Sequence, residues 1–382
     1  MTPDFSQTLD RRQSDSLKWQ SCRGSDVLPM WVADMDFASP PCILQAMRQR
    51  VDQEVFGYPV ATEEVTQAVV DWAASHYAWQ IEADWLVWLP GLVPGLHVAC
   101  LAYAAAQEEV LTFVPVYPPF LSAPSVTGRA LKTVPLLRDQ GRWTLDLAAV
   151  SKALTPQTKL LLFCHPHNPV GRAWHRDELA ALADVCQRHG LVVCSDEIHC
   201  DLMLEPRRHV PFATLSPEIS DRTVTLMSPA KTFNTPGLSC GFAVIPNREL
   251  RRQFQRAARG LVPHPNALGY AACRAAYAEG EEWRLALLEY LRGNRDLLET
   301  YLAVHLPMFS LSRVEATYLA WLDTRALGAR NTASFFEAAG VKLSEGAAFH
   351  GRGFMRLNFG CPRAMLQEAL ERIQRAVTHL GP

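Results

Sequence analysis

An α/β fold built on a largely parallel sheet is predicted by three features of the sequence. Short β-rich apolar runs recur at Leu86–Leu89, Val110–Val114, Leu160–Cys164, Leu191–Ser195, Thr223–Met227 and Gly241–Ile245. Amphipathic segments lie between them, and this alternation is the pattern of strands joined by helical crossovers. The clearest crossover, Asp177–His189, carries Leu179, Leu182, Ala183 and Cys186 at helical spacing, with Gly190 where a helix C-cap belongs.

The chain has 382 residues, 48% of them apolar and 20% charged, which is long enough for more than one domain of ordinary size. Lys and Arg total 37 against 39 Asp and Glu, a net charge of -2, and no long basic run is present. That balance argues against a polyanion partner such as nucleic acid. Met1–Asp10 is polar, and no stretch of about 18 apolar residues exists, so the expectation is a cytoplasmic protein without a membrane span. Ten scattered cysteines include no Cys-x-x-Cys pair, so neither a zinc site nor a disulfide framework is indicated.

After Pro263 the pattern changes to long helical stretches, Ala267–Tyr277 and Glu281–Val304, then a mixed region and a final helix near Arg363–Leu380. The expected organisation is an N-terminal arm and start of a small domain over residues 1–50, a large domain over 51–263, and a smaller α+β C-terminal domain over 264–382. The proline-rich piece Leu261–Pro265 marks the hinge.

Four stretches carry candidate chemistry, in the order Pro115–Phe120, His165–Gly171, Ser195–Asp201 and Ser228–Leu238. Lys231 follows an apolar strand, where partial desolvation disfavours the ammonium and frees the amine as nucleophile and base. A solvated loop lysine is the plain alternative. Asp196 ends the run Leu191–Ser195, placing a carboxylate where open α/β sheets gather ligands, although a helix cap is also compatible. Asn168 precedes Pro169-Val170-Gly171, a turn, and Tyr117 precedes Pro118-Pro119. Gly91-Leu92-Val93-Pro94-Gly95 opens a helix whose backbone N–H groups suit a phosphate. Arg356, in the strand-like Phe354–Phe359, carries a guanidinium fork that matches a carboxylate.

In content and order these stretches resemble the fold-type I pyridoxal 5′-phosphate (PLP) enzymes of the aminotransferase class I/II superfamily. The details are similar to the MalY/PatB family of cystathionine β-lyases, also called cysteine-S-conjugate β-lyases. The likeness runs from Arg11-Arg12 and Leu17-Lys18-Trp19 through Leu28–Phe37 to Arg356–Arg363. It implies an aspartate aminotransferase-like fold and a Schiff base between Lys231 and the cofactor. It further implies that Asp196 pairs with the pyridine nitrogen, Asn168 donates to the phenolic oxygen, and Tyr117 stacks on the ring. Leu92 and Val93 would hold the phosphate through their backbone and Ser228 through its hydroxyl, while Arg356 would bind the substrate carboxylate.

By the same likeness Tyr58 reaches the phosphate of a neighbouring subunit, so a homodimer with shared active sites is expected. His199 matches the family's Asp-Glu-Ile-His and is placed against the cofactor, with its role open. His165 stands where the group usually has asparagine and is given no role. Many aminotransferases of this fold keep a cation eight positions after the lysine. This chain has Ser239 there, which favours a carbon–sulfur lyase over the alternative, an aminotransferase. A regulatory protein of the same fold is the remaining alternative, and only about fifty residues precede the large domain.

Overall fold

The computed structural model describes residues 3–139, 141–328 and 331–379. Among them, the large sheet has seven strands: β1 (Leu86–Leu89), β2 (Glu109–Val114), β3 (Ala130–Pro135), β4 (Thr158–Cys164), β5 (Val192–Asp196), β6 (Thr223–Met227) and β7 (Gly241–Val244). Their spatial order is β1-β7-β6-β5-β4-β2-β3, with β7 antiparallel to both neighbours and the other pairings parallel. The carboxyl ends of the remaining six strands therefore open on one edge, where ligands of such sheets bind.

The predicted apolar runs all become strands, because β4, β5, β6 and β7 are buried on both faces and need continuous apolar sequence. β3 escapes that reading. It is an edge strand of sequence ALKTVP, and its lysine and proline are what an edge tolerates and a central strand does not.

A second, antiparallel sheet of order β8-β9-β11-β10 is made by β8 (Ser310–Leu311), β9 (Leu319–Asp323), β10 (Ser344–Glu345) and β11 (Phe354–Asn358). Leu28–Pro29 pairs in parallel with Val341–Lys342, so an N-terminal piece joins the C-terminal part of the fold. The helix that follows the proline-rich piece, α3 (Ala267–Glu279), packs on α1 (Pro41–Val51) and α2 (Glu63–Tyr77). Its sequence is apolar nearly all round, with Ala272, Cys273, Ala275 and Ala276 buried, which suits a helix enclosed by neighbours.

The segment from Met30 to Phe37 runs between the two sheets and is held by buried charge. Lys18 Nζ lies 2.6 Å from Asp36 Oδ2, Arg11 Nη1 lies 2.7 Å from Asp36 Oδ1, and Trp19 Nε1 donates to Asp36 Oδ1 at 2.8 Å. Lys18 and Asp36 are 1% and 2% exposed. Removing one member of such a pair strands the other without solvent, at a cost of about 3–5 kcal/mol. Asp36→Ala is expected to lower the unfolding midpoint in urea by that equivalent. A midpoint within experimental error of the native one would show that the cluster does not anchor the segment.

Candidate active site

The strand ends and the Met30–Phe37 segment enclose a cavity of about 260 Å³, lined by Lys231, Asp196, His199, Asn168, Tyr117, Ser228, Leu92, Val93 and Arg356. Nine residues singled out in the sequence thus meet in one place, although they come from both sheets. Tyr58 is the exception. It stands fully exposed, away from this chain's own cavity, in an extended segment with exposed Val55, Phe56 and Val60.

Lys231 sits one turn past the end of β6, and its Nζ donates to the Ala33 carbonyl at 2.6 Å. Burial disfavours its ammonium and brings the pKa down to about 8, with Arg356 lowering it and Asp34 and Asp196 raising it. Asp196 ends β5, and its Oδ1 accepts from the Ile198 N–H at 3.1 Å. Burial pushes this carboxyl up to about 7. A carboxylate sealed from water and short of positive charge is poised for a cationic partner inside the cavity.

Arg356 lies on β11, and its fork is spread by named partners: Nη1 donates to Asn168 Oδ1 at 3.0 Å and Nη2 to the Trp31 carbonyl at 2.8 Å. The guanidinium also rests 4.7 Å from the Phe349 ring centre, and its buried Nε has no partner among the described residues. Burial lowers its pKa to about 10, so it stays charged at neutral pH. Because the Asn168 carbonyl is turned toward Arg356, its amino group remains to donate elsewhere. Tyr117 N–H donates to the Asn168 backbone carbonyl at 3.1 Å, which ties the two segments together.

A helix, α4 (Leu92–Tyr103), starts on the cavity, and the residue before it, Gly91, gives no side-chain cap. Its first N–H groups are therefore donors for an anion. Ser228 also reaches the cavity, but its Oγ already donates to the Cys240 carbonyl at 2.7 Å and accepts from Ala230 N–H at 3.1 Å. It must give up the first bond to donate to a phosphate. His199 is buried, Nδ1 without a partner among the described residues, and desolvation drops its pKa to about 3, so it acts as a neutral ring. His165 lies outside the cavity lining and meets the Val210 carbonyl through Nε2 at 3.0 Å.

Several contributors were not singled out in the sequence. Ala33 offers only its carbonyl, and Tyr318 reaches that same carbonyl at 3.0 Å. Ser344, which accepts from Arg356 Nη2 at 3.3 Å, and Phe349 support the arginine. A basic amine, a cation-seeking carboxylate at the neighbouring strand end, an uncapped helix start and an aromatic side chain together fit a phosphorylated pyridine aldehyde such as PLP.

Comparison with known proteins agrees with this geometry. Residues 25–373 match the model of the family described as aminotransferase class I and II. The chain is 36% identical to cystathionine beta-lyase PatB of Bacillus subtilis (strain 168), over 98% of this chain and 100% of that one. Among solved structures, OvoB superposes with a TM-score of 0.96 at 46% identity, covering 98% of this chain and 99% of that one. Cystalysin from Treponema denticola, a structure containing pyridoxal 5′-phosphate, superposes with a TM-score of 0.97 at 32% identity, each chain covered to 100%. With the strand-end lysine and aspartate in one cavity and a match over nearly its whole length, the chain belongs to the aminotransferase class I and II family.

Proposed function

We propose that this protein is a PLP-dependent carbon–sulfur β-lyase that converts L-cystathionine or a related cysteine S-conjugate, with water, into a thiol, pyruvate and ammonia. The observation that carries the reading is the convergence of Lys231, Asp196 and Arg356 on one cavity, in a chain similar to a cystathionine β-lyase.

Bound PLP supplies an aldehyde for amino groups and an electron sink for the Cα electron pair. The chain supplies the rest. Lys231 would provide the amine that carries the aldehyde, and its Nζ is the group that would take the Cα proton. Asp196 would hold the proton of the pyridine nitrogen. Asn168 would donate to the phenolic oxygen with His199 beside it, Tyr117 would stack on the ring, and the Leu92 and Val93 N–H groups with Ser228 would hold the phosphate. Arg356 fixes the substrate carboxylate, which sets the angle of the Cα–H bond before the thiolate leaves Cβ.

The test is to supply L-cystathionine to the holoenzyme and measure pyruvate and thiol together, against amino transfer from the same substrate to an oxo acid. Stoichiometric pyruvate and thiol support the lyase. Amino transfer in their place supports the aminotransferase, the reading weakened by Ser239 at the cavity edge, where many aminotransferases keep a cation.

Arg356→Ala is expected to lose about 2–5 kcal/mol of transition-state binding. This is read as a drop in kcat/KM of roughly 30-fold or more. A change under threefold would remove Arg356 from substrate binding.

The working unit in this reading is a homodimer, with Tyr58 of each chain serving the phosphate of its partner. The exposed apolar segment Val55–Val60 is the surface such a pairing would cover. Mixing an inactive Lys231→Ala chain with a Tyr58→Ala chain is expected to restore activity, because half of the hybrid's sites are intact. Activity that never rises above the sum of the separate variants counts against the shared site. Ten free cysteines suit a reducing compartment, in keeping with action in the cytoplasm, and no described helix is long and apolar enough to cross a membrane.

A further inference from the structure

One backbone oxygen in the cavity wall receives two donors. The Ala33 carbonyl accepts from Lys231 Nζ at 2.6 Å and from the Tyr318 hydroxyl at 3.0 Å. Tyr318 is 1% exposed, and burial holds its phenol far above the usual range, so it stays a donor at every working pH. It immediately precedes β9, whose Trp321 is paired in register with Arg356 on β11. Its own carbonyl accepts from the Phe359 N–H at 2.9 Å.

The wall carrying Ala33 is rigid. Asn358 Nδ2 donates to the Val32 and Asp34 carbonyls, each at 2.6 Å. Asn234 accepts from the Met35 N–H and donates to the Met35 carbonyl, each at 2.9 Å. Asn234 adopts a φ of 55°, a left-handed conformation that asparagine tolerates better than most residues. The Ala33 oxygen therefore cannot simply follow the amine, and what it offers Lys231 depends on what else it binds.

We propose that Tyr318 is a positioning residue, whose hydroxyl shares the Ala33 carbonyl with Lys231 and thereby limits how strongly that carbonyl holds the lysine as an ammonium. This assignment rests on Lys231 being the cofactor-carrying amine. A carbonyl oxygen has two lone pairs and accommodates both donors, but each draws electron density from the other. The ammonium gains more from the carbonyl than the neutral amine does, since its hydrogen bond is charge-assisted. Without the phenol the oxygen is the better acceptor for the ammonium, and the neutral, nucleophilic form becomes scarcer.

The other charged or titratable groups acting on Lys231 come from every wall. They are Asp34 on the Met30–Phe37 segment, Asp196 on β5, His199 in the loop beyond it, and Arg356 on β11. All four residues are kept in a Tyr318→Phe protein, which retains the ring and deletes only the hydroxyl.

The experiment follows capture of PLP by the apoprotein, through the visible absorbance of the bound aldehyde, as a function of pH. Capture needs the free amine, so the native rate is expected to rise through a midpoint near about 8. In Tyr318→Phe the midpoint is expected to move up by about 0.3–0.5 pH units, with capture at pH 7.5 slowed roughly two- to threefold. A fluorinated tyrosine at 318, a stronger donor of nearly equal size, is expected to move the midpoint down. A purely structural role would slow capture by one factor at all pH values. That result, or midpoints unmoved in both variants, overturns the assignment. Native apoprotein that captures no PLP at any pH would instead overturn the proposed function, and this assignment with it.

Discussion

Lys231→Ala protein is expected to emerge colourless after dialysis and to turn over cysteine S-conjugates at least roughly 10³-fold more slowly than the native enzyme. Two separate losses produce this. The first is the covalent link, without which PLP is retained only by its phosphate and ring contacts. The second is the base. The buried Nζ, with its pKa brought down to about 8, holds a useful fraction of free amine at neutral pH, and no other cavity group is equally suited. His199 is neutral but too weakly basic at about 3, Asp196 serves the ring nitrogen in the proposed site, and Arg356 stays charged. Absorbance after dialysis and single-turnover kinetics separate the two losses. Lys231→Arg should fail as well, because a guanidinium neither forms the link nor gives up its proton. A Lys231→Ala protein that keeps its colour through dialysis and a tenth of its activity would show that another amine carries the cofactor.

The parts of the site that lie at strand ends were legible in the sequence, and the parts made by backbone were not. Asp196 and Lys231 each follow an apolar run buried on both faces, and such runs advertise both the strand and the point where it stops. Arg356 was harder. Its strand belongs to a small antiparallel sheet of short members, and only the likeness of Arg356–Arg363 to a known family lifted it above a surface arginine. Ala33 and Tyr318 left no trace, since a carbonyl belongs to every residue and a buried tyrosine before a strand reads as core. The helix Ala267–Glu279 shows the other limit: periodicity reveals an enclosed helix without saying which elements enclose it, here the helices Pro41–Val51 and Glu63–Tyr77. Tyr58 is also placed by kinship alone, because nothing in one chain explains an exposed tyrosine among exposed valines.

Asp196→Asn should separate stability from catalysis. In the apoprotein the Asp196 carboxyl is buried and its pKa is raised from 3.8 to about 7. The folded protein therefore keeps a proton that the unfolded chain has already released between about pH 4 and 7, so stability falls as pH rises through that window and the penalty is constant above it. Asparagine carries no charge to desolvate. Apo Asp196→Asn is expected to match the native apoprotein near pH 4 and to melt higher by an amount that grows up to pH 7. With PLP bound the order reverses. The carboxylate then has the ring nitrogen's proton to hold, whereas an amide can hydrogen-bond that nitrogen without keeping it charged. Losing the charged member of a buried pair corresponds to about 3–5 kcal/mol, so kcat is expected to fall by roughly 10²–10⁴-fold. A variant less stable than native at pH 8 as apoprotein, yet fully active when loaded, would assign Asp196 to the fold and require another group to keep the ring charged.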